Sequence, residues 1–574
     1  MLAVFPRLLY NLVQLLTAPL WWAGWMGGRP RSRWVHIRVR PRLVEIERPL
    51  PSLLRFVPGL AEARPTSLTL LRRLVAYLLE DRRIVGVVVD LPPLSAGWAH
   101  CAGLRDQLTA LRDGGKTVVA YLSSGGGNRE LYVASAADRI LAHPAVQLAP
   151  LGLSASVPYF KGLLDRAGLE VEVLRRAEYK TAAEPAVRQD MSPAQREQLE
   201  ALLGTFDRRL REGLAARPGL DAAKVDALFQ QALLGPEAAL SEGLIDGVCY
   251  EDELPTALTP DGTVTRLVRA PRYFAWRSAR WLAPLLKTPF VAVVPVHGAI
   301  LGGAPGTRGG LQVSGLVTTL RAAARDPHVQ GVVLHVDSPG GSAVASDRLH
   351  REVKRLAEAK PVVACFGDVA ASGGYYVAAS AASVVAQPLT VTGSIGVVAA
   401  RPVVEPLLSR FGVSVDTVRL APHADMLSKP GRLEDAEREI LDREIGTFYE
   451  TFVGVVAEGR ARPRDEIEAL ARGRVWAGAD AAERGRVDRL GGLDVAVQEV
   501  TRLLEERGRR VPEPLPPRYF RARRLLELPP ADPPTKRAAR AALGLVDPRL
   551  RDTFGLVLNG ERVLCYAAGL PTIR

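Results

Sequence analysis

The chain of 574 residues has few cysteines, and their spacing excludes two kinds of stabilised small domain. The four cysteines (Cys101, Cys249, Cys365 and Cys565) lie far apart and form no C-x-x-C pair. This spacing fits neither a zinc site nor a disulfide framework. The sequence also lacks an H-E-x-x-H motif, which argues against a metallopeptidase. We therefore expect no metal and no other cofactor.

The sequence also lacks a basic stripe with interleaved aromatic residues, although its net charge is +13. Such a stripe is typical of proteins that bind nucleic acid. The arginines are instead scattered through helical segments, often beside Glu or Asp. We interpret the charge as a solvated, Arg-rich surface and expect no nucleic-acid partner. The length predicts two to four globular domains.

A long uncharged run lies between Arg7 and Arg29. A helix that spans a bilayer needs about 20 apolar residues, and tryptophans near the end of this run are typical of a membrane interface. No small-x-small cleavage site follows the run, so we predict a retained anchor at 1–28 that spans the membrane once or lies in its interface. The arginines after the run favour a cytoplasmic body by the positive-inside rule.

The sequence contains an internal duplication. Residues 160–180 align without a gap with residues 404–424, an offset of 244 (404 − 160). The same offset pairs Lys116 and the four residues after it with Lys360 and the four residues after it. A match at one fixed offset over this length indicates two copies of one unit.

Each copy alternates short apolar runs, such as GVVVDL and GVVLHVD, with segments of helical period. The apolar runs are typical of buried strands, and strand–helix alternation predicts an α/β fold with mostly parallel pairing. We assign the N-terminal repeat to 33–285, the C-terminal repeat to 286–507, and a Pro-rich extension to 508–574. We assign no role to the extension.

The two copies differ at a pair of glycines. The second copy has Gly340 and Gly341 directly after a predicted strand, whereas the first copy has no glycine at residues 91–96. Adjacent glycines after a strand let backbone N–H groups face a ligand. An ordinary Pro-Gly turn is the alternative interpretation.

A second difference is a hydroxyl group. Ser372 lies between alanines and glycines at a predicted helix start, where the first copy has Asn128. Unpaired N–H groups at such a start can stabilise the oxyanion that forms when a hydroxyl attacks a carbonyl. The alternative is a helix cap flanked by packing glycines.

A serine nucleophile requires a base, and the repeat offers a lysine rather than a histidine. Lys180 in the first copy matches Ala424 in the second, so one copy keeps the lysine and the other keeps the serine. Lys429, five residues later, is a weaker candidate, and His335 on a predicted strand is interpreted as a buried structural histidine. A Ser–Lys pair is a known variant of the catalytic triad, and it requires the lysine pKa to fall from about 10.4, as burial favours.

These motifs together resemble the long, duplicated form of signal peptide peptidase A, also called protease IV. The resemblance is carried by S-P-G-G-S at 338–342, A-A-S-G-G-Y at 370–375, T-G-S-I-G at 392–396 and Y-K-T-A-x-E-P at 179–185. In the long members of this family, the N-terminal copy supplies the lysine. The present sequence follows that pattern.

The resemblance implies tandem crotonase-like (ββα spiral) domains and a membrane-associated serine endopeptidase. It implies Ser372 as nucleophile, Lys180 as general base, and oxyanion-hole N–H groups from Gly341 and Gly373. Ser394, which the first copy also lacks, is the second candidate nucleophile. An acyl-CoA enzyme of the crotonase type and a catalytically inactive membrane scaffold remain alternatives.

The resemblance also implies partners and a location. The expected partners are peptide substrates such as signal peptide remnants, the lipid bilayer, and further copies of the chain in a tetramer-like ring or dome. The expected location is the inner (cytoplasmic) membrane. Gram-negative relatives have an extracytoplasmic body, which conflicts with the arginine pattern, so both orientations stay open. We expect the serine and lysine to pair within one chain, because sequential units usually lie adjacent.

Overall fold

The structure is a computed structural model that describes residues 11–12, 29–47, 64–259, 262–279, 288–302, 311–510, 515–522 and 564–566. Nearly all of the anchor predicted at 1–28, and most of the extension at 508–574, lie outside these residues. Within the described ranges, none of the helices combines the length and the apolar character that crossing a bilayer requires.

The described strands alternate with helices along most of the chain. They are β1 Trp34–Arg38, β2 Leu43–Val44, β3 Thr66–Ser67, β4 Gly86–Asp90, β5 Thr117–Leu122, β6 Arg139–Ala142, β7 Glu170–Arg176, β8 Gly247–Val248, β9 Leu267–Arg269, β10 Phe290–His297, β11 Ile300–Leu301, β12 Leu311–Gln312, β13 Val329–Ser338, β14 Gly340–Ser342, β15 Val362–Ala371, β16 Ser383–Ala386, β17 Val391–Gly393, β18 Val397–Val403, β19 Val475–Ala477, β20 Arg489–Leu490, β21 Pro517–Tyr519 and β22 Leu564–Tyr566.

The described helices follow the same alternation. They are α1 Leu68–Glu80, α2 Trp98–Asp113, α3 Asn128–Ala134, α4 Lys161–Ala167, α5 Glu184–Val187, α6 Pro193–Ala215, α7 Ala222–Gln231, α8 Pro236–Ser241, α9 Leu254–Ala257, α10 Ala270–Ser278, α11 Val313–Arg325, α12 Ala343–Ala359, α13 Gly373–Ala378, α14 Glu405–Arg410, α15 Asp435–Gly459, α16 Arg464–Leu470, α17 Gly478–Glu483 and α18 Leu493–Glu506, with a 3₁₀ turn at Glu251–Glu253.

The chain forms two compact units of mixed α/β structure. The first unit comprises residues 1–153 and 206–289, and the second comprises 154–205 and 290–574. The segment 154–205, which belongs to the N-terminal repeat in sequence, is therefore part of the second unit. The repeat boundary at 285/286 stays a prediction about the sequence, since compactness groups the residues differently.

The first unit is built on a parallel sheet with the strand order β8-β6-β5-β4-β1-β9. Its central strand β4 is buried along its whole length. A parallel strand that is covered on both faces needs a continuous apolar run, which is why GVVVD contains three valines and no alternating polar residues. Helix α1 begins after Ser67, whose hydroxyl accepts a hydrogen bond from the Leu70 N–H.

The second unit contains a larger sheet in which β19-β17-β15-β13-β10-β21 are neighbours and β16 pairs with β15 and β20. Strands β10, β13 and β15 are parallel to one another, and among the described strands of this sheet only β19 runs antiparallel to its neighbour. The turn after β13 leads through β14 into α12, where Ser342 accepts a hydrogen bond from the Ala345 N–H. The Gly340–Gly341 pair and Ser372 thus follow adjacent parallel strands, β13 and β15, and lie at the same edge of the sheet.

A further sheet in the second unit has the order β12-β11-β14-β22-β18-β7. Strand β7 pairs antiparallel with β18 over seven residue pairs, from Glu170 with Val403 to Arg176 with Val397. Buried Glu172 on β7 accepts hydrogen bonds from Arg401, Arg438 and the Leu433 N–H. These contacts attach the segment that contains Lys180 to the second unit.

A pair of equivalent lysines shows the duplication at the level of side chains. Within the first unit, buried Lys116 donates hydrogen bonds to the carbonyl oxygens of Asp81 and Ile84. Within the second unit, buried Lys360 donates to the carbonyl oxygens of Ala323 and Asp326. Each lysine thus binds carbonyl oxygens in the connection that leads into the neighbouring strand, β4 or β13. This structural role explains why both copies contain the lysine.

Candidate active site

Ser372 lies at a sharp turn between strand β15 and helix α13. Its backbone has φ 54° and ψ −119°, a conformation that residues other than glycine rarely adopt. Two hydrogen bonds hold it: its N–H donates to the Gly393 carbonyl (2.8 Å), and its own carbonyl accepts from the Tyr376 N–H (2.9 Å). The residue is fully buried. Such a strained strand–turn–helix junction is one way in which proteins present a nucleophile.

The glycine-rich strand β14 lies beside this turn. A Cβ at Gly374 would lie 2.8 Å from the Ser338 carbonyl oxygen, so the backbone after β13 approaches the start of α13 closely. A Cβ at Gly341 would lie 2.0 Å from the carbonyl oxygen of Ile300. Any larger residue at 341 would push β14 away from β11. Close backbone approach therefore requires glycine at positions 341 and 374.

Lys180 reaches Ser372 from a loop that follows β7. Its Nζ lies 2.6 Å from Ser372 Oγ, 2.8 Å from the Ser394 carbonyl oxygen and 3.0 Å from Ser394 Oγ. Only 1% of Lys180 is exposed. Burial disfavours the protonated form of an amine, because the charge loses its hydration. The structure thus places the lysine and both candidate serines together.

Gly473 and Gly396 pack closely against Lys180 and fix its position. A Cβ at Gly473 would lie 2.5 Å from the backbone nitrogen of Lys180, and a Cβ at Gly396 would lie 3.2 Å from Lys180 Cδ. The backbone beside Lys180 is held as well, since the Tyr179 N–H donates to the Arg472 carbonyl (2.9 Å). Gly396 belongs to a motif that the sequence drew attention to, whereas Gly473 was missed because it lies in no motif.

Glu184, the acidic residue of the lysine motif, supports the same loop. It is buried, and its Oε1 accepts a hydrogen bond from Arg175 at 2.8 Å, while its Oε2 accepts from the Ser192 N–H at 3.4 Å. The carboxylate therefore connects β7 to the turn after α5. Glu184 is part of the Y-K-T-A-x-E-P motif, but the sequence alone predicts no function for it.

Ser394 shares the unusual backbone of Ser372. Its φ is also 54°, and its N–H donates to the Arg474 carbonyl (2.7 Å). It is 3% exposed. Its carbonyl and hydroxyl oxygens both contact the lysine amine, so Ser394 is placed to orient that amine.

Arg486 is a buried cation close to Gly393. Its guanidinium lies over the Trp476 ring at 6.0 Å, and its Nη1 is 3.6 Å from where a Cβ on Gly393 would be. None of its three guanidinium nitrogens has a hydrogen-bond partner among the described residues. Burial lowers the pKa of Arg486 to about 10. No sequence pattern pointed to this residue.

The lysine that the sequence ranked second has another environment. Lys429 Nζ lies 2.5 Å from Glu437 Oε2 and 3.3 Å from Glu434 Oε1, at the start of α15. Burial by itself would raise the pKa of Glu437, but hydrogen bonds from Lys429 and from the Glu434 N–H hold that pKa below its usual value. Lys429 is therefore engaged in an ion pair. His335 is buried as expected, with Nδ1 2.7 Å from His297 Nε2.

The first unit has a strand–turn–helix junction at the equivalent place, but without the hydroxyl and without the positive φ of Ser372. Asn128, the counterpart of Ser372, begins helix α3 after a turn that follows β5. Its side-chain amide donates a hydrogen bond to the Gly152 carbonyl at 2.7 Å. The amide thus closes the turn, and the position carries no nucleophilic group.

Comparisons with known proteins identify the family of the chain. A model of Peptidase family S49 matches residues 110–264 and 354–506, two segments that begin 244 residues apart (354 − 110), the offset of the repeat. The chain is 32% identical over 425 residues to the chloroplastic serine protease SPPA of Arabidopsis thaliana, covering 73% of this chain and 63% of that protein. It therefore spans slightly less than two thirds of the length of this relative.

Two bacterial relatives are matched over a larger share of their length. Protease 4 of Salmonella typhi is 33% identical, with 74% of this chain and 70% of that protein covered. Protease 4 of Haemophilus influenzae is 30% identical, with 75% and 71% covered. Among solved structures, a ClpP1 mutant from Listeria monocytogenes is 17% identical with a TM-score of 0.23, covering 35% of this chain and 91% of that one. From the family model and these relatives, the chain belongs to peptidase family S49.

Proposed function

We propose that this chain is a membrane-associated serine endopeptidase that hydrolyses cleaved signal peptides or other hydrophobic peptides with a Ser372–Lys180 dyad. The observation that carries the proposal is the 2.6 Å separation of Lys180 Nζ and Ser372 Oγ, with both residues buried. Proton transfer between a nucleophile and its base needs a separation of about 2.6–3.2 Å. Membership in a peptidase family supports the same reaction.

In the first step, the neutral amine of Lys180 accepts the hydroxyl proton while Ser372 Oγ attacks the carbonyl carbon of the peptide bond. The carbonyl π electrons move to oxygen and form a tetrahedral oxyanion. Backbone N–H groups of Gly341 and Gly373 are the proposed donors to that oxygen. Such preorganised donors are worth about 2.7–4 kcal/mol each in related chemistry.

In the second step, the C–N bond breaks as the Lys180 ammonium donates its proton to the leaving amine, and an acyl-enzyme ester remains on Ser372. Water then attacks the ester carbonyl, with the neutral lysine as base. The C–O bond to Ser372 breaks, the serine recovers its proton, and the peptide carboxylate leaves. One lysine thus serves as base and acid in turn.

Ser394 has a supporting role in this scheme. Its carbonyl at 2.8 Å and hydroxyl at 3.0 Å from Lys180 Nζ direct the amine, and a lysine has three rotatable donors that need such direction.

The wider setting is proposed from the sequence and the family. We propose tandem crotonase-like domains, a membrane segment within 1–28, and a homo-oligomeric ring or dome. We also propose that the catalytic body is attached to the inner membrane. An acyl-CoA enzyme of the same fold would have no need for the contact between Lys180 and Ser372.

The test is incubation of the purified full-length chain with a synthetic hydrophobic signal peptide, followed by mass spectrometry of the products. We expect internal cleavage, and none with Ser372→Ala. A parallel incubation with a fatty acyl-CoA tests the rival chemistry. Turnover of the thioester with no cleavage of the peptide would overturn the proposal.

A further inference from the structure

Strand β22, from the C-terminal extension, lies between two strands of the candidate active site. It pairs antiparallel with β14, with Gly340 opposite Tyr566, Gly341 opposite Cys565 and Ser342 opposite Leu564. On its other side it pairs antiparallel with β18, with Val398 opposite Leu564. The order β14-β22-β18 means that β22 joins two parts of one sheet.

This order means that the space between β14 and β18, here called the slot, is wide enough for one extended strand. Paired strands lie about 4.8 Å apart, so β14 and β18, on either side of β22, are about 10 Å apart. Without β22, each would present unpaired N–H and C=O groups toward the other. Two facing edges at this spacing can take up one strand through main-chain hydrogen bonds, which is the β-augmentation mode of peptide binding.

The slot lies between the groups proposed for catalysis. Strand β14 contains Gly341, the proposed oxyanion donor. Strand β18 pairs on its far side with β7, and Lys180 follows the end of β7 by four residues. A peptide backbone in the slot therefore runs beside Gly341, which lies next to the Ser372 turn.

We infer that residues 564–566 of the C-terminal extension occupy the peptide-binding slot of this site and compete there with substrate. The inference rests on the proposed function, and it adds that a segment of the chain itself binds in the slot. A tethered segment binds at an effective concentration in the millimolar range, so it competes without strong intrinsic affinity. Within the described residues, the tail pairs with Gly340, Gly341 and Ser342 of β14, so a substrate strand that pairs with the same three residues excludes it.

The first experiment compares the full-length chain with a chain that ends at Ala522, which retains β21. Removal of the competitor lowers KM for a hydrophobic peptide about 10-fold and leaves kcat unchanged. A synthetic peptide of residues 560–570 then inhibits the shortened chain competitively. If KM is unchanged or rises on shortening, or if the peptide does not inhibit, the tail is not a competitor.

A point variant tests the same idea in the full-length chain. Cys565→Pro removes a backbone N–H and a strand-compatible conformation, whereas the matched control Cys565→Ala retains both. We expect the proline variant to reproduce the lower KM of the shortened chain and the alanine variant to behave like the parent. Equal KM values for the two variants contradict the inference.

A disulfide tests the position of the tail without any need for activity. Residues opposite each other in antiparallel strands have Cα atoms about 4.5–5.5 Å apart, within disulfide range. We therefore expect Val398→Cys and Leu564→Cys, in a Cys565→Ala background, to form a disulfide that mass spectrometry detects. Cys101, Cys249 and Cys365 are buried. The oxidised form loses peptide cleavage, and reductant restores it; if no disulfide forms, the tail does not lie in the slot.

Binding separates failure of the inference from failure of the proposed function. In a Ser372→Ala background, a fluorescein-labelled peptide of residues 560–570 binds the shortened chain at least 10-fold more tightly than the full-length chain. If this difference is found but no form of the enzyme cleaves peptides, the proposed function fails and the tail still occupies the slot. If cleavage is normal and binding is equal, only the inference fails.

Discussion

Lys180 Nζ lies 2.6 Å from Ser372 Oγ, although the two residues are 192 positions apart in the chain. The lysine comes from the N-terminal repeat and the serine from the C-terminal repeat, yet both belong to one compact unit. The segment 154–205 belongs to the N-terminal repeat in sequence but to the second unit in structure, and it brings the amine to the serine.

Ser372→Ala is expected to reduce peptide hydrolysis by at least about 1,000-fold, because no other atom replaces the attacking oxygen. Ser394→Ala is expected to cost less, since it removes one of the oxygens that orient the lysine and leaves the nucleophile. Initial rates with one peptide compare the two variants, and thermal unfolding checks that both fold. Loss of activity with Ser394→Ala and retention with Ser372→Ala would make Ser394 the nucleophile.

The rate is expected to rise with pH and reach a plateau, since only the neutral amine of Lys180 accepts the serine proton. Lys180→Arg is expected to be inactive across the range, because a guanidinium keeps its proton. The measurement is kcat/KM between pH 5 and pH 10, with Lys429→Arg as the control that retains the pH profile. A flat profile for the parent enzyme is incompatible with a lysine base.

Coexpressed Ser372→Ala and Lys180→Ala chains are expected to remain inactive. Pairing within one chain leaves every site without either its serine or its lysine, whatever the mixed assembly. Differently tagged copies, purified through both tags, give the mixed assemblies whose peptide hydrolysis is measured. Recovery of a substantial fraction of parental activity would mean that neighbouring chains supply the lysine.

Gly396→Ala is expected to lower kcat by about 10- to 100-fold, because a Cβ there would lie 3.2 Å from Lys180 Cδ and displace the amine. Gly162→Ala is a matched control on α4, where nothing lies within 4 Å of an added Cβ. It is expected to keep full activity and to leave stability unchanged or raise it by about 0.5–1 kcal/mol. Similar activities for the two variants would show that the packing on Lys180 is not critical.

Lys429→Met is expected to lower Tm by several degrees at pH 7, since it removes the partner of buried Glu437. The control Lys161→Met removes an exposed pair with Asp165 and is expected to change Tm little. Thermal unfolding of both variants by circular dichroism is the measurement.

The effect of Lys429→Met also has a defined pH dependence. Because the pKa of Glu437 is lowered in the folded state, its contribution is present above the unfolded value of about 4.3 and is lost as pH falls through the folded pKa. Burial lowers the pKa of Lys429, but the hydrogen bonds to Glu437 and Glu434 outweigh it and raise that pKa, so its contribution is lost as pH rises through the raised value. The Tm difference from the parent is therefore largest near neutral pH; a difference that grows in acid contradicts this account.

Much of the chain was predictable from sequence, and the family and the α/β class are confirmed. Apolar β-branched runs, such as the one in β4, form buried parallel strands because the hydrophobic pattern and the strand geometry are both local properties. The duplication was readable because both copies retain residues that the fold itself requires, such as Lys116 and Lys360. Glycines at 340 and 341 and the serine at 372 were visible because the other copy lacks them.

Only the tertiary structure determined the contacts between residues that are far apart in the sequence. The contact between Lys180 and Ser372, the close packing of Gly473 on Lys180, and the place of β22 beside β14 all join residues more than 180 positions apart. No periodicity or motif encodes such distances, because they depend on how strands and loops pack after they have formed. Sequence alone therefore determined which residues differ between the copies and predicted that Lys180 and Ser372 act as a pair. Only packing determined the distance between these two side chains and brought Gly473 and β22 to the site.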